Sequence, residues 1–257
     1  MNRFAVVSDI HGNLLALEAV VADLNARGIE SVVNLGDHLS GPLWPLETGR
    51  LLLQQPGWLN VMGNHDYNLT HKPANELGLS DFNAYNQLTD ELRTWLADQP
   101  EQYRLPEGII ALHSSAIPGN HYLLETVENH RARLATPAEI RARLGSVNTG
   151  LLLCGHSHSP RTVQLDDMLI VCPGSVGGPA YFDNDGDTHV IETGSPHARY
   201  AILEERSGKW MIDHISLQYD NLSAARQAEK NGRPDWEIAL RTGFMRTGSE
   251  PLSFPGM

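Results

Sequence analysis

The chain has 257 residues, and its 31 acidic against 19 basic side chains give a formal net charge of −12. A surface with this excess of acidic residues repels the phosphate backbone of long nucleic acid. No apolar run reaches the ~20 residues that are needed to cross a bilayer. We therefore expect neither long nucleic acid nor a membrane as a partner. The first residues lack a charged leader followed by a long apolar segment, so we expect a cytoplasmic protein. The sequence does not indicate an oligomeric state.

The N-terminal part alternates predicted strands and helices. Apolar runs at 4–7, 31–35 and 58–62 predict strands, and the segments 13–25 and 46–55 between them have the spacing of helices. Strands that are apolar on both faces and are separated by helices indicate a sheet buried on both sides. The expected fold class is therefore α/β.

The rest of the chain is richer in short strands. A helix is predicted over 81–99, and a shorter one over 137–144 with Thr136 as its N-cap. Because no linker or repeat appears, we expect one domain over 1–257 with two sheets, and a C-terminal helical extension and tail at about 220–257. The remaining predicted strands are 108–112, 150–154, 162–165, 168–171, 200–204 and 210–216, and the remaining predicted helices are 221–230 and 234–240.

The two cysteines, Cys154 and Cys172, each lie in a short apolar run. A free thiol in such a run behaves as a small core residue, which is what we expect in a reducing compartment. A disulfide stays possible if the two strands are neighbours.

Polar clusters follow five of the predicted strands. In open α/β sheets, ligands bind in the crevice beyond the carboxyl ends of the strands, so clusters at those ends are expected to converge. Their residues are Asp9 and His11, Asp37 and His38, Asn64, His65 and Asp66, His113, and finally His156 and His158.

Two of these clusters are pairs with one residue between the members. Alternate residues of an extended segment share a face, so Asp9 and His11 could grip one divalent cation; the alternative is a loop carboxylate beside a surface histidine. His156 and His158 repeat the spacing, and Gly155 before them leaves room for a metal or substrate. A metal site explains a His-x-His turn better than packing does.

The other three clusters offer a carboxylate, an amide oxygen and a histidine as further candidate ligands. Asp37 could bridge two cations, although a turn carboxylate is the alternative. Asn64 offers an amide oxygen, and Asp66 could orient His65. His113 ends a strand and is by itself ambiguous. Oxygen and nitrogen donors without sulfur favour manganese, iron, nickel, cobalt or zinc over magnesium alone.

In this order, the clusters resemble the calcineurin-like metallophosphoesterase superfamily, and the segments 8–13 and 173–177 look like its small bacterial and archaeal phosphodiesterase branch. The resemblance implies a four-layer αββα sandwich of two mixed β-sheets flanked by helices. It implies one metal ion held by Asp9, His11, Asp37 and His158, and a second held by Asp37, Asn64, His113 and His156.

The resemblance also implies a mechanism, in which a hydroxide bridging the two divalent metal ions attacks phosphorus. Asn64 helps to neutralise the phosphoryl oxygens, and His65, which contacts the phosphate, is the catalytic acid. The small phosphorylated substrate would be a phosphodiester or a nucleotide. The alternatives are a phosphomonoesterase or dinucleoside polyphosphate hydrolase, a non-catalytic interaction scaffold of the same fold, and a histidine-rich protein that binds one metal.

Three features depart from the plain pattern. His38 follows Asp37 where the branch often has an apolar residue. It could contact substrate or support the metal ligands from behind, or it could be a solvated loop histidine. The acidic segment 178–187 has no EF-hand glutamate, and we expect a solvated loop. Beyond it, Arg199 or His197 could reach the cleft as a substrate contact.

Overall fold

The computed structural model describes residues 2–117, 119, 121–184 and 187–245. Its first sheet has five strands: Arg3–Val7 (β1), Val32–Asn34 (β2), Trp58–Asn60 (β3), Ala198–Arg206 (β13) and Lys209–Leu217 (β14). The order is β14-β13-β1-β2-β3, with β1, β2 and β3 parallel and the other two strands antiparallel. The carboxyl ends of the three parallel strands therefore lie at one edge of the sheet.

A second sheet of five strands has the same mixed character. Its strands are Gln102–Leu105 (β4), Ile109–Leu112 (β5), Leu151–Leu153 (β8), Arg161–Leu165 (β9) and Met168–Cys172 (β10). The order is β4-β5-β8-β10-β9, with β5, β8 and β10 parallel and an antiparallel strand at each side. Both cysteines, at the ends of β8 and β10, are buried free thiols.

A third, four-stranded sheet was not predicted. It contains Glu125–Glu128 (β6), Arg131–Leu134 (β7), Ala180–Asp183 (β11) and His189–Glu192 (β12), in the order β11-β12-β7-β6. The prediction of a solvated loop over 178–187 is wrong at β11, because its residues pair antiparallel with β12. Such short strands depend on pairing between distant segments rather than on a local pattern. Residues 185 and 186 of that segment lie outside the described part.

Eight α-helices complete the described part of the chain. The single helix predicted over 81–99 is wrong: the chain turns and starts a new helix, because the Thr89 hydroxyl accepts a hydrogen bond from the amide of Leu92. None of the described helices is long and apolar enough to span a bilayer. The helices are Leu14–Ala26 (α1), Pro45–Leu53 (α2), Asn64–His71 (α3), Leu79–Tyr85 (α4), Asp90–Ala97 (α5), Pro137–Leu144 (α6), Asn221–Lys230 (α7) and Pro234–Thr242 (α8).

Three layers of buried side chains show how the two large sheets stack. In β1, Ala5 and Val7 face a core that they share with helices α1 and α5, whereas Phe4 and Val6 face the second sheet. In β8, Leu152 faces a core shared with α6, and its neighbours face the first sheet. Both strands thus bury both faces, and the four-layer αββα prediction is confirmed.

Helices α7 and α8 lie in the segment for which a C-terminal helical extension was predicted. Ala224 and Ala225 of α7 and Leu240 of α8 are buried against Leu43, which follows β2. The extension therefore packs beside the loops that leave the carboxyl ends of the first sheet. The predicted tail after residue 245 lies outside the described residues.

Candidate metal centre

The structure brings the polar clusters together at the carboxyl ends of five parallel strands. Asp9 and His11 follow β1, Asp37 follows β2, Asn64 and His65 follow β3, His113 follows β5, and His156 and His158 follow β8. The strands come from both large sheets, whose ends meet at this edge. Two groups of candidate metal ligands result, Asp9 with His11 and His158, and Asp37 with His113 and His156.

In the first group, one carboxylate oxygen faces two imidazole nitrogens. The Oδ1 atom of Asp9 lies 3.3 Å from Nε2 of His158 and 4.0 Å from Nε2 of His11. The two Nε2 atoms are themselves 3.2 Å apart. Three potential ligand atoms thus surround one small space.

In the second group, the ligands gather around the other carboxylate. The Oδ2 atom of Asp37 lies 3.2 Å from Nε2 of His113, and that nitrogen lies 2.9 Å from Oδ1 of Asn64. The same Oδ2 atom is 3.9 Å from Nε2 of His11, a member of the first group. Asp37 therefore faces both groups, as expected of a bridging ligand.

Hydrogen bonds on the far side of three imidazole rings fix which nitrogen carries the proton. The Nδ1 atoms of His11, His113 and His158 contact the backbone carbonyls of Ser40, Leu35 and Gly178, at 2.8, 2.7 and 2.6 Å. A carbonyl can only accept, so each Nδ1 carries a proton, and Nε2 is the atom that each ring directs toward the site. The pKa of His11 is lowered to about 4, so its Nε2 presents a lone pair to the nearby carboxylate oxygens, a contact that a bound cation would relieve.

Asp9 provides an independent test of this interpretation. Its Oδ1 atom is buried and has no hydrogen-bond partner among the described residues, whereas its Oδ2 accepts from the amide of His156 at 3.1 Å. A buried carboxylate oxygen without a partner is costly unless it binds a cation. The donor set and this oxygen both fit a divalent metal.

The charges of the site agree with this fit. Burial opposes the charge of Asp9 and of Asp37, but the neighbouring imidazoles of His158 and His113 outweigh it and keep the pKa of each carboxyl below its ordinary value. Burial lowers the pKa of His11 to about 4 and that of His156 to about 3, so both rings are neutral ligands at pH 7. For His113, Asp37 outweighs burial and raises the pKa to about 9, so this position attracts positive charge.

The backbone at the site is strained, which the sequence argument did not anticipate. Asp9, His11, Asp37, His156 and His158 all adopt left-handed conformations, with φ between 51° and 68°. Their side chains are therefore aimed by tight turns after the strands, and alternation along an extended segment is not the reason. Left-handed non-glycine residues are unfavourable and cluster at functional sites.

Two glycines allow the ligand loops to approach one another. A Cβ atom on Gly63 would collide with the carboxylate of Asp37, and one on Gly155 would collide with the hydroxyl of Ser8. The space at Gly155 is thus filled by the loop after β1 and is not left for metal or substrate. The prediction that Gly155 leaves room for a metal or substrate is therefore wrong.

Asp66 holds the ligand loops and does not orient His65, contrary to the prediction. Its carboxylate is fully buried and accepts hydrogen bonds from the amides of Asp37, His38 and Gly63, at 2.8, 3.0 and 2.9 Å. It also contacts Nδ1 of His38 at 2.7 Å. The His38 ring is fully buried against Trp95 and does not line the cleft, so we do not retain it as a substrate contact.

We expect Asp66→Ala to lower the free energy of unfolding by about 3 kcal/mol or more, because several buried donors lose their acceptor at once. Urea denaturation measures this change. As a control, Asp166→Asn removes the charge of an exposed carboxylate that pairs with Arg141, suits the positive φ of this residue, and should cost far less. Equal costs for the two variants would contradict the role given to Asp66.

His65 is oriented by Asp81, a residue that the sequence argument missed. Asp81 lies in α4, and its Oδ1 atom is 2.7 Å from Nδ1 of His65, while its Oδ2 accepts a hydrogen bond from Asn68 at 3.0 Å. Burial opposes a charge on His65, but Asp37 and Asp81 outweigh it and raise its pKa to about 10. A third of the His65 side chain (34%) is exposed, so a protonated imidazole is accessible from the cleft. No local motif links residues 65 and 81.

The second substrate contact predicted from sequence, Arg199, also lies away from the cleft. Its guanidinium is directed to the loop 193–197, where it donates to the carbonyl of His197 at 2.9 Å and to the hydroxyl of Ser195 at 2.6 Å. His197 contacts Ser216 at 3.0 Å and does not line the cleft either. Arg199 is therefore better described as fixing this loop, and we do not retain it as a substrate contact.

A cavity of about 1770 Å³ opens beside both ligand groups. Its floor contains six of the seven candidate ligands, and Asp9 lies buried beneath them. His65 and Tyr181 also line it, and the Tyr181 ring lies 4.6 Å from that of His158. Such a cavity is much larger than a phosphate group, so it has room for an organic substituent.

The fold and the two ligand groups define an αββα protein with a candidate binuclear metal centre. A family model described as a calcineurin-like phosphoesterase superfamily domain matches residues 2–208, and the chain belongs to this superfamily. The resemblance inferred from the motifs is thereby confirmed.

Individual relatives agree with this assignment. An uncharacterized protein of Methanocaldococcus jannaschii is 28% identical over 239 residues, covering 91% of this chain and 95% of the relative. A metallophosphoesterase from Sphaerobacter thermophilus has a similar structure, with a TM-score of 0.73, 22% identity, and coverage of 94% of this chain and 99% of that one. A hypothetical protein from Pyrococcus horikoshii OT3 has a TM-score of 0.70, 20% identity, and coverage of 95% and 99%. At these identities, the two structures show the shared fold alone.

Proposed function

We propose that this protein is a metal-dependent phosphoric ester hydrolase that holds two divalent cations and acts on phosphodiester or nucleotide-type substrates. The observation that carries the proposal is the convergence of nitrogen and oxygen ligand atoms in two adjoining groups that share Asp37. One cation would be held by Asp9, His11, Asp37 and His158, and the other by Asp37, Asn64, His113 and His156. Such oxygen and nitrogen donors suit manganese, iron, nickel, cobalt or zinc.

The bound cations would supply hydroxide from water at neutral pH and offset negative charge on the phosphoryl oxygens. The protein's own residues supply the proton. Nδ1 of His65 donates to Asp81, and because the pKa of His65 is raised to about 10 the ring is protonated, so Nε2 also carries an N–H that can reach a substrate in the cavity. A protonated His65 would donate this proton to the leaving oxygen. Because Oδ1 of Asn64 faces His113, its amide NH₂ is free to donate to a phosphoryl oxygen.

A substrate panel assayed with added manganese tests the proposal. It would compare p-nitrophenyl phosphate, bis(p-nitrophenyl) phosphate, cyclic nucleotides and dinucleoside polyphosphates, each with and without a chelator, alongside the metal content of the protein by elemental analysis. We expect two metal equivalents per active chain and higher turnover of diesters or nucleotides than of simple monoesters. One equivalent in active protein would favour a single-metal site, and two equivalents without turnover of any ester would favour an interaction scaffold.

If Asp81 positions His65, Asp81→Asn should lower kcat for an alkyl phosphoester about tenfold, because the imidazole loses its charged partner. The loss should be much smaller with a p-nitrophenyl ester, whose leaving group departs without a proton. Steady-state kinetics on the two esters measure the difference. An equal loss on both esters would show that Asp81 has only a structural role.

A further inference from the structure

The C-terminal helix α8 forms one wall of the cavity. The family match ends at residue 208, so this helix lies outside it. The Trp236 ring lies 5.8 Å from the ring of His11, at an angle of 70°, and Ile238, two residues further along the helix, also lines the cavity. Trp236 also packs on the cluster around Leu43, which fixes its position. An aromatic ring is thus held directly beside a candidate metal ligand.

Helix α4 lies next to this wall and is tied to it. Arg233, just before α8, donates a hydrogen bond of 2.8 Å to the hydroxyl of Ser80 in α4. The preceding residue, Leu79, lines the cavity although 74% of its surface is exposed to solvent. Apolar surface that faces water inside a cavity is surface that a ligand can cover. Other apolar or aromatic residues of the lining include Met62, Tyr67, Ile117 and Phe182.

The charges of the lining do not match a polyanionic substituent. Apart from the candidate ligands and the paired His65 and Asp81, the described charged residues of the lining are three acids, Glu101, Asp183 and Asp235, and two bases, Lys72 and Arg233. Arg233 is already paired with Asp235 at 2.6 Å. Beyond the metal centre, a polyphosphate chain would therefore meet Lys72 together with two acids, which does not favour the dinucleoside polyphosphate alternative.

We propose that Leu79, Trp236 and Ile238, here called the apolar wall, bind the ester group of the substrate, and that this group is planar and aromatic. The proposal rests on the proposed function, because it assigns a ligand to the space beside the same metal centre. Aromatic stacking on Trp236 and burial of the Leu79 side chain supply the recognition, and the cations supply the contact to the phosphoryl group.

Calorimetric titration of the metal-loaded protein with phenylphosphonate and methylphosphonate tests the apolar wall, since their C–P bonds are not hydrolysed. We expect the wild-type protein to bind phenylphosphonate at least about tenfold more tightly. Trp236→Ala and Leu79→Ser should each reduce this ratio to about threefold or less. Leu79 is so exposed that its replacement does not endanger folding.

We expect two matched control variants to keep the wild-type ratio of the affinities for phenylphosphonate and methylphosphonate. Trp210→Ala removes a tryptophan that packs on Phe4 away from the cavity, and Leu222→Ser replaces an exposed leucine (48%) of α7. An equal affinity of the wild-type protein for both phosphonates, or an unchanged ratio in both wall variants, would overturn the inference and leave the proposed function intact. If neither phosphonate binds, the proposed phosphoryl site itself fails. Titration with a phosphonate that carries adenine then distinguishes a nucleobase from a simple aryl group.

Discussion

Replacing Asp37 by asparagine should abolish metal-dependent hydrolysis, with a loss of at least about 10³-fold in kcat/KM. The Oδ2 atom of Asp37 is close to both ligand groups, 3.2 Å from His113 and 3.9 Å from His11. Its other oxygen accepts a hydrogen bond from the amide of His65 at 2.9 Å. An asparagine that keeps this bond must place its NH₂ where Oδ2 was, and a donor cannot bind a cation.

Metal binding can be measured without turnover, and this separates loss of the metal from other causes of inactivity in Asp37→Asn. Some proteins bind manganese only in the folded state. For such a protein, manganese at 100 times its dissociation constant raises the free energy of unfolding by about 2.7 kcal/mol. Thermal unfolding with and without manganese should show this gain for the wild-type protein and a much smaller one for Asp37→Asn. Asp166→Asn makes the same chemical change at an exposed ion pair with Arg141 and should keep both the activity and the gain. Wild-type turnover by Asp37→Asn would refute the site.

The fold could be predicted as far as its signals were local. The apolar strands around β1 and β8 bury both faces, and this feature is visible in the sequence as runs without alternation. The Thr136 cap of α6 was equally predictable from the sequence, because its hydroxyl and Glu139 form a capping box within four residues. The third sheet could not be predicted in this way, since β7 and β12 pair across more than fifty residues and have no distinctive local composition.

The candidate site, like the fold, could be predicted only where its signals were local. Its ligands could be proposed because each follows a strand, and strand ends converge in any α/β sandwich. The residues that support the ligands were assigned wrongly: Asp66 bonds to the loop around His38, and Asp81 from α4 takes the place beside His65. Both partnerships depend on how loops pack in three dimensions, so adjacency in the sequence was a poor guide.

His65→Gln should lower kcat for alkyl phosphoesters by about 10²- to 10⁴-fold, the contribution expected of a general acid. For a p-nitrophenyl ester the loss should be far smaller, because that leaving group is stable as an anion. Glutamine can still hydrogen-bond to Asp81 but cannot deliver a proton at neutral pH. Steady-state kinetics on ester pairs that differ only in leaving group measure the effect.

His71→Gln is a suitable control, since His71 is an exposed histidine on the same helix, stacked on Tyr67. It should leave the ratio of the two rates unchanged. Because His65 is not among the candidate ligands, elemental analysis of His65→Gln should still find two metal equivalents. A similar loss on both esters with full metal content would mean that His65 binds the phosphoryl group without protonating the leaving oxygen. The contact between Asp81 and His65 would then serve to hold a positive charge against the substrate.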